Sequence, residues 1–153
     1  MKKILLNILI IIMALTITGC GKKSVIKSEI KSEINSFSYN YGSYNGGYYN
    51  YSITTNDNKV TLIAEGYNGV ELNINKEIDN VYLEQLSKII NNNKIYEWDG
   101  FDKRDNSILD GYSFELIINY KDGSVIEASG YMKYPKNYDT GHKALTDFLN
   151  SIK

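Results

Sequence analysis

The sequence predicts an α+β domain: a mostly antiparallel sheet of about six strands, a meander plus a hairpin, packed against two amphipathic helices. Three observations lead there. Short alternating runs rich in Tyr, Val, Ile and Thr are punctuated by Asn-Gly and Asp-Gly turn pairs. Two longer stretches carry apolar residues at helical spacing. After an apolar and then polar N-terminal stretch, about 117 residues remain from Phe37 onward, enough for one core.

The first predicted hairpin is the tyrosine-rich segment 37–51, which holds six of the 14 tyrosines. Phe37, Tyr39, Tyr41, Tyr49 and Tyr51 alternate and can pair across strands, with 42–47 as a loose loop. A four-residue turn, Asn56-Asp57-Asn58-Lys59, pairs Thr55 with Val60 and Ile53 with Leu62, and so puts Tyr49, Tyr51 and Ile53 on one apolar face. Val60, Leu62 and Ala64 then face Val70, Leu72 and Ile74 across Asn68-Gly69. A two-residue loop there would set Leu62 on the side of Glu71 and Asn73. A three-residue loop, Tyr67-Asn68-Gly69 with Gly69 left-handed, pairs Leu62 with Ile74 and Ala64 with Leu72 instead.

Asp79 is the expected N-cap of a helix over 79–92, with Leu83, Leu86 and Ile90 on one face and Glu84, Gln85 and Lys88 off it. Residues 95–100 read as a short strand followed by a polar loop. Around Lys121-Asp122-Gly123, a three-residue loop pairs Ile118 with Ile126, Leu116 with Ala128, and Phe114 with Gly130, laying a ring over a bare glycine. The second helix is expected over 140–152, with Leu145, Phe148, Leu149 and Ile152 inward.

The N-terminal stretch says most about location. Lys2 and Lys3 precede about 14 mostly apolar residues, and small residues follow, which is the plan of an export signal. A membrane span needs roughly 20 apolar residues, more than this run supplies. Ile17-Thr18-Gly19-Cys20 resembles the lipobox of bacterial lipoproteins. That resemblance implies recognition of Ile17, Thr18 and Gly19 by signal peptidase and transfer of a diacylglyceryl (palmitate-type) group to Cys20, leaving open whether Cys20 is also N-acylated. Two acyl chains suffice for stable anchoring. The expected organisation is signal peptide 1–19, lipidated cysteine and polar linker 20–36, and head 37–153. The expected location is the outer face of the bacterial cell membrane.

Cys20 is the only cysteine, so no disulfide can staple the head. The linker repeats Ile-Lys-Ser-Glu at 26–29 and 30–33, a frayed helix or solvated spacer that reaches roughly 50 Å if extended. Without Lys2 and Lys3 the chain has 15 basic and 18 acidic residues. The linker holds four of those bases and two of those acids, which leaves the head with 11 and 16. An acidic head argues against nucleic acid as a partner.

Within the head, the Tyr, Asn and Gly residues around Tyr44 and Tyr48 have the composition of recognition loops: large rigid rings among adaptable hydrogen-bonding groups. A cell-wall glycan, a peptide or a protein would fit, and the alternative is purely structural aromatic pairing. Asp99, Asp102, Asp105 and Asp110 lie on one expected loop as oxygen ligands, but their spacing matches no EF-hand, and Lys103 and Arg104 can neutralise them; no metal or cofactor is assigned. His142, the only histidine, has no Ser or Cys partner recognisable from spacing, so no triad is assembled. Carboxylate pairs such as Glu97 with Asp99 or Asp110 with Glu115 keep a glycan hydrolase open as a third class. The expectation is a non-enzymatic binding module. A protein-interaction or inhibitor lipoprotein acting through an acidic face is the alternative.

Trp98-Asp99-Gly100-Phe101, Asp110-Gly111-Tyr112-Ser113-Phe114, Ala128-Ser129-Gly130-Tyr131 and Pro135-Lys136-Asn137-Tyr138 together resemble a recurrent pattern of bacterial lipoproteins and secreted domains of uncharacterised activity. The resemblance spans most of the head. Its motifs are structural, so it implies a location and no catalytic residues.

Overall fold

A computed structural model describes residues 32–153, and Ile17, Thr18, Gly19 and Cys20, the residues expected to serve signal cleavage and lipidation, lie outside them. Strands β1 (Ile34–Ser43), β2 (Gly47–Asn56), β3 (Lys59–Tyr67) and β4 (Asn73–Ile78) run as a meander. Helix α1 (Val81–Asn92) and a 3-10 turn (Ile95–Trp98) follow. Next come β5 (Phe101–Arg104), β6 (Ser113–Tyr120), β7 (Val125–Tyr131) and helix α2 (Tyr138–Ser151). The strands form one sheet in the order β4-β3-β2-β1-β6-β7-β5, antiparallel except for β5 beside β7. The fold is therefore α+β with seven strands.

Two hairpins have the register their sequence requires. Thr55 faces Val60 and Ile53 faces Leu62, with Asp57 and Asn58 both left-handed in the turn. Successive positive φ values are the twist-matched solution for a two-residue loop. Ile118 faces Ile126, Leu116 faces Ala128 and Phe114 faces Gly130 across Gly123. A Cβ on Gly130 would overlap the Phe114 ring and the Lys133 carbonyl oxygen, so the ring lies directly on the backbone.

The third hairpin differs by two residues. Ala64 faces Ile74 and Leu62 faces Lys76, so residues 68–72 form a five-residue connection. The face of every side chain is unchanged, because a shift of two preserves the pleat. The extra length lets Val70 fold back onto the bare backbones of Gly47 and Gly66, where a Cβ would overlap it. Three further differences are local. The loop at 42–47 is tighter than expected, with only residues 44–46 outside the strands. Residues 95–98 wind into a 3-10 turn rather than a strand, and β5 starts at Phe101. Strand β1 starts at Ile34, inside the stretch 20–36 read as linker, and Ile34 is buried.

One face of the sheet carries the core. Phe37, Tyr39, Tyr51, Ile53, Leu62, Leu116, Ile118 and Ile126 are buried against Leu86 and Ile90 of α1 and Leu145, Phe148 and Leu149 of α2. Trp98 is fully buried at the end of the 3-10 turn, with its ring 5.4 Å from that of Tyr138 and 5.9 Å from that of Phe114. The N-cap position of α1 is Asn80 rather than the expected Asp79, and Asp79 supplies a side-chain cap from one residue earlier, its Oδ1 accepting the Val81 N–H at 2.8 Å. The opposite face presents Ser36, Ser38 and Asn40 on β1, Asn50 and Ser52 on β2, Glu115 and Ile117 on β6, and Glu127 and Ser129 on β7. Both helices lie on the other side.

Candidate functional site

The two ends of the sheet differ in chemistry. At one end the described chain begins, tied to the β6–β7 turn by the Lys121 N–H donating to the Glu33 carbonyl at 2.9 Å and by a Lys121–Glu33 ion pair. The same end holds the Asp57-Asn58 turn and the Asp79 cap. At the other end are the β1–β2 turn, the 68–72 loop, the loop from β5 to β6 and the loop from β7 to α2. Six large apolar side chains are exposed among the described residues, and five of them, Tyr44, Tyr67, Ile108, Leu109 and Tyr134, belong to this second end. Val81 alone belongs to the first.

Tyr44 is 68% exposed at the tip of the β1–β2 turn, where the Ser43 hydroxyl accepts the Gly46 N–H at 3.0 Å. Tyr48 is partly buried on the helix-free face and faces Tyr67 across β2 and β3. The two predicted residues thus share an end, Tyr44 exposed at its tip and Tyr48 partly buried. Tyr67 donates its hydroxyl to Glu65 Oε2 at 2.7 Å, and this carboxylate pushes the phenol pKa up. Tyr67 was legible in principle: pairing Thr55 with Val60 already sets Tyr48 opposite Tyr67. Leu109, 91% exposed, had no such signal, because it sits in an irregular loop.

On the helix-bearing face, the same end holds a dense aromatic cluster. Tyr41 stacks on Tyr49 at 5.0 Å and on Tyr112 at 6.4 Å, and meets the His142 ring edge-on at 4.9 Å. Tyr138 stacks on His142 at 5.3 Å and on Tyr134 at 4.6 Å. Tyr39, fully buried, sits with its hydroxyl 2.7 Å from His142 Nδ1 and 3.4 Å from the Tyr138 hydroxyl. Burial lowers the His142 pKa, with Asp139 opposing it weakly. Burial pushes Tyr112 up to about 12 and raises Tyr39, Tyr41 and Tyr138 further. At neutral pH these groups are therefore uncharged rings and hydroxyls. They offer stacking and hydrogen bonds.

Three of the four acidic loop residues, Asp99, Asp102 and Asp105, are engaged locally. Asp99 Oδ1 accepts the Glu127 N–H at 3.1 Å, and Asp102 Oδ1 accepts the Ser129 hydroxyl at 2.8 Å. Asp105 accepts from Ser107 and pairs with Lys133 at 3.1 Å, which together hold its pKa down to about 2. Among the described residues no three His, Cys, Asp or Glu side chains lie close enough to hold a metal ion. A cavity of about 310 Å³ lies at the chain-entry end between Ile34, Thr55, Leu83 and Glu84. A depression of about 430 Å³ lies on the helix-free face among Asp102, Glu115, Ile117 and Glu127. Neither is lined by Tyr44 or Tyr48. No helix among the described residues is long and apolar enough to cross a membrane. No protein-family model, no curated protein and no solved structure matches the chain.

Proposed function

We propose that this chain is an exported lipoprotein, anchored through Cys20 to the outer face of the bacterial cell membrane, whose head binds a cell-surface ligand at its aromatic end. The observation that carries the reading is the segregation of five of six exposed large apolar side chains to the end opposite chain entry. Strand β1 has 10 residues, so that end stands about 33 Å beyond the point where the linker joins. A lipid anchor at the linker would present it outward. Exposed Tyr, Ile and Leu beside neutral hydroxyls suit the mixed apolar and hydroxyl surface of a glycan or an uncharged peptide. The reading assigns no catalytic role and no cofactor.

Binding of the purified head to cell-wall glycans, wall peptides and whole envelopes tests it. Tyr44→Ala and Tyr67→Ala should each weaken binding about tenfold or more, as loss of an aromatic anchor does. Unchanged binding in both, and in Tyr48→Ala, would end the proposal. Cys20→Ser tests the anchor: lipid labelling should vanish, and labelling that persisted would show the attachment to be elsewhere.

One observation favours a second reading, a protein-interaction lipoprotein. The helix-free face carries Glu65, Glu77, Glu115, Glu127 and Asp102 against Lys59 and Arg104, a net acidic surface complementary to a basic partner. Cross-linking in cells followed by mass spectrometry separates the two, since a stoichiometric protein favours the acidic face and a recovered glycan favours the aromatic end.

A further inference from the structure

Met132 is the only methionine among the described residues, and its surroundings are specific. It follows β7 in the left-handed conformation, with φ 53°. Its N–H donates to the Tyr112 carbonyl at 2.9 Å, and the Tyr112 N–H donates back to Met132 Sδ at 3.1 Å. The Tyr134 hydroxyl approaches the same sulfur at 3.8 Å. Gly111 packs so closely on the side chain that a Cβ there would overlap Met132 Cγ and lie 3.1 Å from Sδ. The thioether thus pins the loop that carries Ile108 and Leu109 to the segment that carries Tyr134. Tyr131 adds a second pin: its hydroxyl accepts the Gly111 N–H and donates to the Leu109 carbonyl, both at 2.6 Å.

We propose that Met132 is a site of reversible oxidation, at which a peroxide converts the thioether to a sulfoxide and releases this pin. The sulfur lone pair attacks one peroxide oxygen, the O–O bond breaks, and the S–O bond forms. The departing oxygen takes the proton of the transferred hydroxyl and leaves as water, or as an alcohol from an organic hydroperoxide. Sulfur loses two electrons and the peroxide gains them; a reductase dithiol reverses the step, giving water and a disulfide. The side chain is partly exposed, so a small oxidant can reach it.

The consequence follows from the sulfur's two lone pairs. The Tyr112 N–H occupies one of them at 3.1 Å, so the peroxide takes the other. The sulfur of the sulfoxide is electron-poor and no longer accepts that N–H. Oxidation therefore releases the Tyr112 N–H from Met132.

The test needs no ligand, so its outcome is independent of the binding proposal. The purified head is treated with hydrogen peroxide, and the Met132 peptide is followed by mass spectrometry alongside amide hydrogen exchange at Gly111 and Tyr112. The expected result is uptake of one oxygen atom at Met132 with at least about tenfold faster exchange at Tyr112, restored by methionine sulfoxide reductase. Met132→Leu should show neither the uptake nor the peroxide-dependent exchange. The inference is overturned if Met132 stays reduced under peroxide that fully oxidises free methionine, or if it is oxidised while Tyr112 exchange is unchanged.

Discussion

Replacing Tyr39 by Phe isolates one hydroxyl whose position is the least replaceable in the aromatic cluster. The ring stays and the core contacts stay; what goes is the hydrogen bond to His142 Nδ1 at 2.7 Å and the weaker contact to the Tyr138 hydroxyl at 3.4 Å. Leaving a hydrogen-bonding group without its partner costs about 1–3 kcal/mol, and the half-buried His142 ring sets the middle of that range, about 2 kcal/mol. With about 120 structured residues, unfolding entropy near the midpoint is about 0.25 kcal/mol/K, so Tm should fall by about 8 °C. Trp98, the only tryptophan and 5.4 Å from the Tyr138 ring, reports the transition by its emission.

The pH dependence gives a second readout. Burial holds the folded His142 pKa below 6.5, so between that value and 6.5 the unfolded chain binds more protons than the folded one. The stability this contributes is complete above about pH 6.5 and is lost as pH falls through the folded pKa. Burial sets this shift and the ring stays as buried in Tyr39→Phe, so the acid decline should keep its steepness. A Tm change under about 2 °C would refute the role given to this bond.

Gly130→Ala should cost about 2–3 kcal/mol in urea unfolding, because the new methyl meets the Phe114 ring and the fixed Lys133 carbonyl; a neutral result would mean the ring moves aside freely. Tyr120→Phe should gain about 1 kcal/mol, since the Tyr120 hydroxyl is buried without a hydrogen-bond partner, and a loss of stability would reveal a partner it meets in solution. Lys143→Ala breaks the 2.6 Å pair with Asp147 on the exposed side of α2 and should change stability by less than about 0.5 kcal/mol, with a larger loss contradicting the view that this helix is held by Leu145, Phe148 and Leu149.

The parts of the fold legible in the sequence are those where a turn and a pleat constrain each other. Around residues 57–58 and 121–123 the turn residues Asp57, Asn58 and Gly123 take the left-handed conformation and select one of the loop lengths that keep apolar residues on one face, so the register follows. Around 67–69 two loop lengths differing by two residues satisfy the same rule, and the choice is made by Val70 settling on Gly47 and Gly66, a long-range fit. The short β5 pairs parallel to β7, which no local turn encodes. The site divides the same way. Tyr44 and Tyr48 are visible from composition, and Tyr67 from register. The Tyr39–His142 bond joins residues 103 apart in sequence and depends on how α2 crosses the sheet, so no spacing rule reaches it.

Strand β1 is the fourth of seven in the sheet, and the linker joins at its first residue. Antiparallel hydrogen bonds run perpendicular to the strands, so a pull on the linker loads the bonds to β2 and β6 together, in shear, rather than opening them one at a time. The buried Ile34 and the Glu33–Lys121 tie sit where that load enters. A tether fixed at one end and a ligand held at the other would thus pull along the stiffest line of the molecule, and the head would transmit tension before it yielded to it.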